Sequence, residues 1–128
     1  MRILVVDDER PLRDVLRRAL MLAGYDVRLA EDGLEGLAEV NGSAPDAVVL
    51  DIGMPGIDGY EVARRLRAAG HKFRIIAVTG WGQEADRQKA QEAGFDVHLV
   101  KPVLPDRLIR ELEGEIRGNR PELLSAPL

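Results

Sequence analysis

Cysteine is absent from the 128-residue sequence, which excludes a disulfide framework, a thiol nucleophile and a zinc–thiolate centre. Only two histidines occur, leaving little scope for an imidazole metal site. Basic residues are in deficit: 18 Lys and Arg stand against 22 Asp and Glu, a formal net charge of -4. Nucleic-acid-binding domains usually carry a basic stripe, so no nucleic-acid partner is expected. Long apolar runs are also missing. The amino terminus enters the run from Ile3 to Val6 directly, without the basic start and longer apolar stretch of a signal peptide. These absences point to a small, acidic, cytoplasmic protein with no membrane partner. At roughly 100–200 residues per domain, one domain is expected, and 45% hydrophobic and 31% charged residues suit a soluble globular core.

What the chain does contain is a regular alternation of short β-branched runs and amphipathic stretches. Ile3 to Val6 is apolar throughout and ends in Asp7-Asp8. From Pro11, the residues Leu12, Val15, Leu16, Ala19 and Leu20 fall on one helical stripe, which predicts a helix that closes at Gly24. Tyr25 to Ala30 alternates polar and apolar, the pattern of an edge strand. Asp32 to Val40 predicts a short helix with Leu34, Leu37, Ala38 and Val40 inward. Ala47 to Leu50 is again apolar and ends in Asp51. Turn chemistry from Gly53 to Gly59 follows, with Asp58 as a helix cap. Tyr60 to Ala69 then carries Val62, Ala63, Leu66 and Ala69 at helical spacing, and Arg74 to Thr79 is a fourth strand. Glu84 to Ala93 is helical with only alanines for an apolar face, so it should be the least firmly held helix. Val97 to Val100 is a fifth strand ending in Lys101-Pro102, and Pro105 to Arg117 is a last helix with Leu108, Ile109, Leu112 and Ile116 inward. Residues 118–128 read as a loose tail, leaving 1–117 as the folded unit. Such alternation implies an α/β fold, a doubly wound five-stranded parallel sheet in the order 2-1-3-4-5 with helices on both faces.

Parallel strands end on one rim, so this topology gathers Asp7, Asp8, Asp51, Thr79 and Lys101 although they span most of the chain. Three carboxylates about 4–5 Å apart repel by a few kcal/mol per pair at an effective dielectric near 20. A hard divalent cation removes the conflict, and oxygen ligands favour magnesium, with manganese as the alternative. Lysine and threonine supply the cation and hydroxyl of a phosphoryl site. The set suits in-line attack by a carboxylate on phosphorus, giving an acyl phosphate. Gly80 leaves the backbone free to approach phosphoryl oxygens, and the Gly53 carbonyl is in a position to reach a metal.

Val5 to Glu9 (VVDDE), Asp51 to Gly59 (DIGMPGIDG), Val78 to Gly80 (VTG) and Leu99 to Val103 (LVKPV) occur in that order, each at a strand end. Together they resemble a bacterial response-regulator receiver domain, over essentially Arg2 to Arg117. The flavodoxin-like order 2-1-3-4-5 is that of the family's chemotaxis member, so it is not independent of the resemblance. The resemblance implies that Asp51 accepts a phosphoryl group from the phosphohistidine of a histidine kinase or phosphotransfer protein. It implies that Asp8, Asp51 and the Gly53 carbonyl bind magnesium, with Asp7 acting through a metal-bound water. Thr79, Gly80 and Lys101 would contact the phosphoryl group, and the Lys101-Pro102 bond would be cis. His98, three residues before the lysine, takes the place of the family's switching aromatic. The stretch from Gln83 to Val103 particularly resembles receivers fused to hybrid histidine kinases. The implied protein is a phosphorelay switch rather than an enzyme, a monomer or weak dimer. It would signal to a downstream protein through its fourth helix, fifth strand and fifth helix, with no output domain expected after Arg117.

Plainer readings compete at single positions. Asp7 and Asp8 could cap the first helix, but one cap needs one aspartate. His98 suits a half-buried edge strand as well as a switch, Trp81 suits packing or a partner contact, and Tyr60 suits the core. Rival functions fare worse. An aspartyl phosphatase needs a general acid two residues after its nucleophile, where this chain has Gly53. A flavin or nucleotide domain presents glycine and hydroxyl residues after its first strand, where this chain has acids. A receiver-like module that is never phosphorylated would not need the complete acidic set.

Overall fold

Short β-branched runs pair into one parallel sheet in the computed structural model, which describes residues 1–80 and 84–116. Strands and helices alternate as β1 (Arg2–Val6), α1 (Arg10–Leu22), β2 (Asp26–Ala30), α2 (Gly33–Gly42), β3 (Ala47–Asp51), α3 (Gly59–Ala68), β4 (Arg74–Thr79), α4 (Glu84–Ala93), β5 (Val97–Val100) and α5 (Pro105–Ile116). The order is β2-β1-β3-β4-β5, the doubly wound, flavodoxin-like order expected from the alternating elements together with the family resemblance. Strand β2 lies at an edge and alternates exposed Asp26 and Arg28 with half-buried Val27 and Leu29. Strands β3 and β4 are buried at every residue, as parallel strands covered on both faces must be.

Period-two alternation sorts the strand side chains onto two cores. Leu4, Val6, Val48, Leu50, Ile75 and Ala77 meet Val40 of α2, Val62 and Leu66 of α3, and Ala90 of α4. Ile3, Val5, Val49, Ile76, Val78 and Leu99 meet Leu16 and Leu20 of α1 and Leu108 and Leu112 of α5. Each fully buried leucine contributes about 1.5–3 kcal/mol. Helix α4 offers only Ala90 and Ala93 to the core, so it is the least firmly anchored by burial, as its sequence predicts. Among the described residues no helix is long and apolar enough to cross a membrane.

Two helices are rolled differently from the sequence expectation. In α1, Val15 is 53% exposed, whereas Arg13 is only 7% exposed beside Leu16 and Leu20. The inward stripe is therefore 13, 16 and 20, which admits a cation because its guanidinium finds a backbone acceptor. In α2, Leu34 is 63% exposed and Ala38 is exposed too, while Gly33, Gly36 and Val40 face inward. The glycine face is turned in because the helix packs closely on β1: a Cβ at Gly36 would stand 2.9 Å from Val6 Cγ2. Ala69, expected inward, is the exposed C-cap of α3. Asp32 and Asp58 cap α2 and α3, their carboxylates accepting from the amides of Glu35 and Glu61. Tyr60 is buried in the core. Trp81, Arg117, the Ile116 side chain and the tail 118–128 lie outside the described residues.

Gly59 opens α3 against the backbone at the end of β3, where a Cβ would stand 2.6 Å from Asp51 O and 2.7 Å from Ile52 Cα. Backbone cannot swing aside as a side chain can. Gly59→Ala should therefore destabilise the fold by about 1–3 kcal/mol. Gly42→Ala, at the end of α2 with nothing within 4 Å of the added carbon, should instead stabilise it by about 0.5–1 kcal/mol. Urea unfolding midpoints of the two variants, shifting in opposite directions, check this pair.

Candidate functional site

The sheet register brings the strand ends level. Asp51 pairs with Val78, and Val100 with Thr79, so Asp51, Thr79 and Lys101 emerge side by side. Past the strands the ladder runs on: the Asp7 amide donates to Ala30 O at 3.1 Å, the Ile52 amide to Val78 O at 3.1 Å, and the Lys101 amide to Thr79 O at 2.7 Å. The backbones carrying Asp7 and Lys101 are thus pinned by neighbouring strands, and that of Asp51 by the residue after it. The Lys101-Pro102 peptide bond is cis.

At this rim Asp7, Asp8 and Asp51 each offer a carboxylate oxygen, and these oxygens lie within 4.8 Å of one another. Asp7 is 2% and Asp51 4% exposed, whereas Asp8 is exposed. Lys101 Nζ lies 3.6 Å from Asp51 Oδ1, 3.7 Å from Asp7 Oδ2 and 3.1 Å from Glu9 Oε1. The Glu9 amide donates to Asp7 Oδ1 at 2.8 Å, and the Gly53 amide donates to Asp51 Oδ1 at 3.2 Å. Thr79 is buried at the same edge. Gly80 is exposed, and among the described residues a Cβ there would meet nothing within 4 Å, so packing does not demand glycine at this position.

One ammonium does not balance this much negative charge. Burial and the Asp7 carboxylate push the Asp51 carboxyl up to about 6, against the Lys101 charge and the Gly53 amide. Burial also raises Asp7, opposed by the Glu9 amide and Lys101. For Lys101, burial acts downward, but the Glu9 hydrogen bond and the Asp7 and Asp51 carboxylates outweigh it and raise the ammonium. Like charges at this spacing cost about 3 kcal/mol per pair at an effective dielectric near 20. A cluster of oxygen donors that is electrostatically unfavourable by itself fits a small hard cation, and these residues could hold one.

Two participants escaped the sequence analysis. Arg13 is buried in α1, and its Nη1 donates to Asp7 O at 2.7 Å while Nη2 lies 3.5 Å from Glu31 Oε1. It clamps the loop that carries the acids. Its spacing from Leu16 and Leu20, three and seven residues, was the available signal. Glu9, read only as part of a motif, is the nearest carboxylate to Lys101 among the pairs just given. His98 stands apart from the acids on β5, paired with Ala77 on the face that carries α4. It lines a crevice of about 350 Å³ between α4 and β5, with Arg87 and Phe95. Both its ring nitrogens are buried without a hydrogen-bond partner among the described residues, and burial, then the Arg87 charge, lowers its imidazole despite Asp86.

The pH dependence of the metal-free protein follows from Asp51. Its carboxyl is raised from 3.8 to about 6 in the folded state, so between those values the folded chain binds more protons than the unfolded one. Stability therefore falls as pH rises through this window. Asp51→Asn should raise the unfolding free energy of the metal-free protein at pH near 7 by about 1–3 kcal/mol. The gain should vanish toward pH near 4, where the native carboxyl is already protonated. Paired urea titrations at the two pH values measure it.

The family model described as the response regulator receiver domain matches residues 3–113. The response regulator MprA of Mycobacterium avium is 43% identical over 122 residues, which are 95% of this chain and 54% of that protein. The chain thus spans about half the length of the curated relatives it matches. Among solved structures, a CheY-like receiver domain protein from Methanospirillum hungatei superposes with a TM-score of 0.86 at 28% identity, covering 92% of this chain and 94% of that one. The chemotaxis protein CheY4 of Vibrio cholerae does so with a TM-score of 0.82 at 30% identity, covering 88% and 95%. With both the family model and relatives of this similarity matched over most of its length, the chain belongs to the response-regulator receiver domains, the phosphoryl-receiving modules of two-component signal transduction.

Proposed function

We propose that Asp51 is the phosphoacceptor and that it receives its phosphoryl group from the phosphohistidine of a histidine kinase or phosphotransfer protein. The observation that carries this is the buried Asp51 carboxylate at the strand ends, with Lys101 Nζ 3.6 Å away and the Asp7 and Asp8 oxygens within 4.8 Å. An Asp51 oxygen attacks phosphorus. A P–O bond forms as the donor's P–N bond breaks, and the departing imidazole nitrogen keeps the electron pair and takes a proton from solvent. Lys101 meets the charge on the phosphoryl oxygens, and Thr79 and Gly80 contact them from the end of β4.

Asp8, Asp51 and the Gly53 carbonyl would hold magnesium, or manganese, with Asp7 acting through a water. Such an ion supplies charge neutralisation to the transferring oxygens and relieves repulsion among the acids. No general acid stands two residues after Asp51, where the chain has Gly53. The domain therefore serves as a switch with slow loss of phosphate and not as a turnover enzyme.

The phosphoryl group adds nearly two negative charges beside Lys101 and Thr79. The face that reads the change is α4, β5 and α5. Helix α4 is the helix with least buried apolar surface, His98 lies beneath it, and Val100 and Leu104 are 38% and 68% exposed. Arg107 and Arg110 flank the apolar groove there, which measures about 270 Å³. A downstream protein docks on this face, and the setting is the cytoplasm, where the kinase's catalytic partner domain would meet it. For residues 1–117 the acidic balance favours protein partners over nucleic acid. The partners of a longer chain resembling the curated relatives would be set by its remaining half.

Incubation with phosphoramidate and magnesium, followed by intact-mass measurement, tests the assignment. One phosphoryl adduct is expected. It should be lost with a chelator and absent from Asp51→Asn; an adduct that persists in that variant places the acceptor elsewhere.

A further inference from the structure

Glu9 occupies the N-cap of α1, where a side-chain oxygen normally accepts a hydrogen bond from the first free amides of the helix. Its carboxylate makes no such bond. It reaches instead across the rim to Lys101, 92 positions away in the chain, with Oε1 3.1 Å from Nζ. Glu9 lies outside the three-acid cluster, and its side chain is 61% exposed. The helix thus starts without a side-chain cap, and the nearest of the three carboxylates around Lys101 belongs to a residue that the phosphoacceptor reading does not use.

From this juxtaposition we infer that Glu9 is a positioning residue that holds Lys101 in a standing ion pair, which an incoming phosphoryl group must disrupt, and so slows phosphoryl gain at Asp51. The inference rests on Asp51 being the acceptor. Before transfer, Lys101 is shared among Glu9, Asp51 and Asp7. When phosphoryl oxygens arrive at Asp51 they compete for the same ammonium, and the Glu9 charge just beyond it opposes their approach. The bonds made and broken are those of the transfer itself; Glu9 acts only through its contact with Lys101. Because Glu9 is exposed, water and salt weaken its hold. The effect is therefore a modest adjustment of rate and not a block.

The experiment uses the full chain at saturating magnesium, with phosphoramidate as donor and the intact-mass time course as readout, at low salt and at about 1 M salt. Glu9→Gln should gain the phosphoryl group about three- to fivefold faster than the native chain at low salt, with the advantage largely gone at high salt. Glu9→Ser supplies a capping hydroxyl to α1 in place of the carboxylate and should show the same acceleration in a chain at least as stable. Rates equal to or below the native rate in both variants would overturn the inference. So would a speed-up that salt leaves unchanged, because that would come from altered loop structure and not from charge. Asp51→Asn, run alongside, keeps the two levels apart: an adduct in that variant sinks the acceptor assignment itself, whereas its absence with unaccelerated Glu9 variants sinks only the role of Glu9.

Discussion

A single ammonium shared among carboxylates far from it in the chain is the interaction on which the rest of this domain turns. Lys101 follows β5, Asp51 ends β3, and Asp7 and Glu9 follow β1. Parallel pairing in register is what makes their meeting possible. The backbone bonds from Asp7, Ile52 and Lys101 to neighbouring strands hold the ends level. Without that alignment the acids would sit in water, each near its ordinary ionisation. With it, Asp51 is forced up to about 6 by burial and by Asp7. The rim is consequently charged against its own stability, the usual condition of a site prepared for a ligand of opposite charge.

The two faces of the sheet are held unequally. Leu16, Leu20, Leu108 and Leu112 anchor α1 and α5 from one side, and Val62 and Leu66 anchor α3 from the other. Helix α4 has two buried alanines in their place. Burial free energy scales with apolar area, so the helix beside β5 is the one whose displacement costs least. His98 belongs to the same region, with two buried ring nitrogens that lack partners among the described residues. A buried donor and acceptor without partners weigh against the arrangement that buries them. Weak packing and an unsatisfied ring thus coincide on the face next to Thr79 and Lys101.

Much of this was legible in the linear sequence, for identifiable reasons. Apolar runs bounded by Asp, Thr and Lys mark strands β1, β3, β4 and β5, and the alternation in β2 marks an edge. The cap Asp58 read correctly because a carboxylate three residues before a free helix amide has a short, local reach, whereas Asp32, read as the first helical residue, is the cap of α2. Helix roll was harder. Val15 and Leu34 are apolar and at helical spacing, yet both face outward, because periodicity defines a stripe more loosely than the shape of the sheet beneath it. In α2 the close approach to Val6 selects the glycine face, a choice that depends on residues distant in sequence.

Sequence alone determined the alternating elements and the identities of the acids, hydroxyl and amine that end the strands, because hydropathy period and residue chemistry are local properties. Only the tertiary structure decided which partner each charge takes. Arg13 turns inward to the Asp7 carbonyl, and Glu9 leaves its helix uncapped to meet Lys101. Those choices depend on distances between atoms dozens of residues apart, and such distances exist only once the sheet has brought the strand ends together.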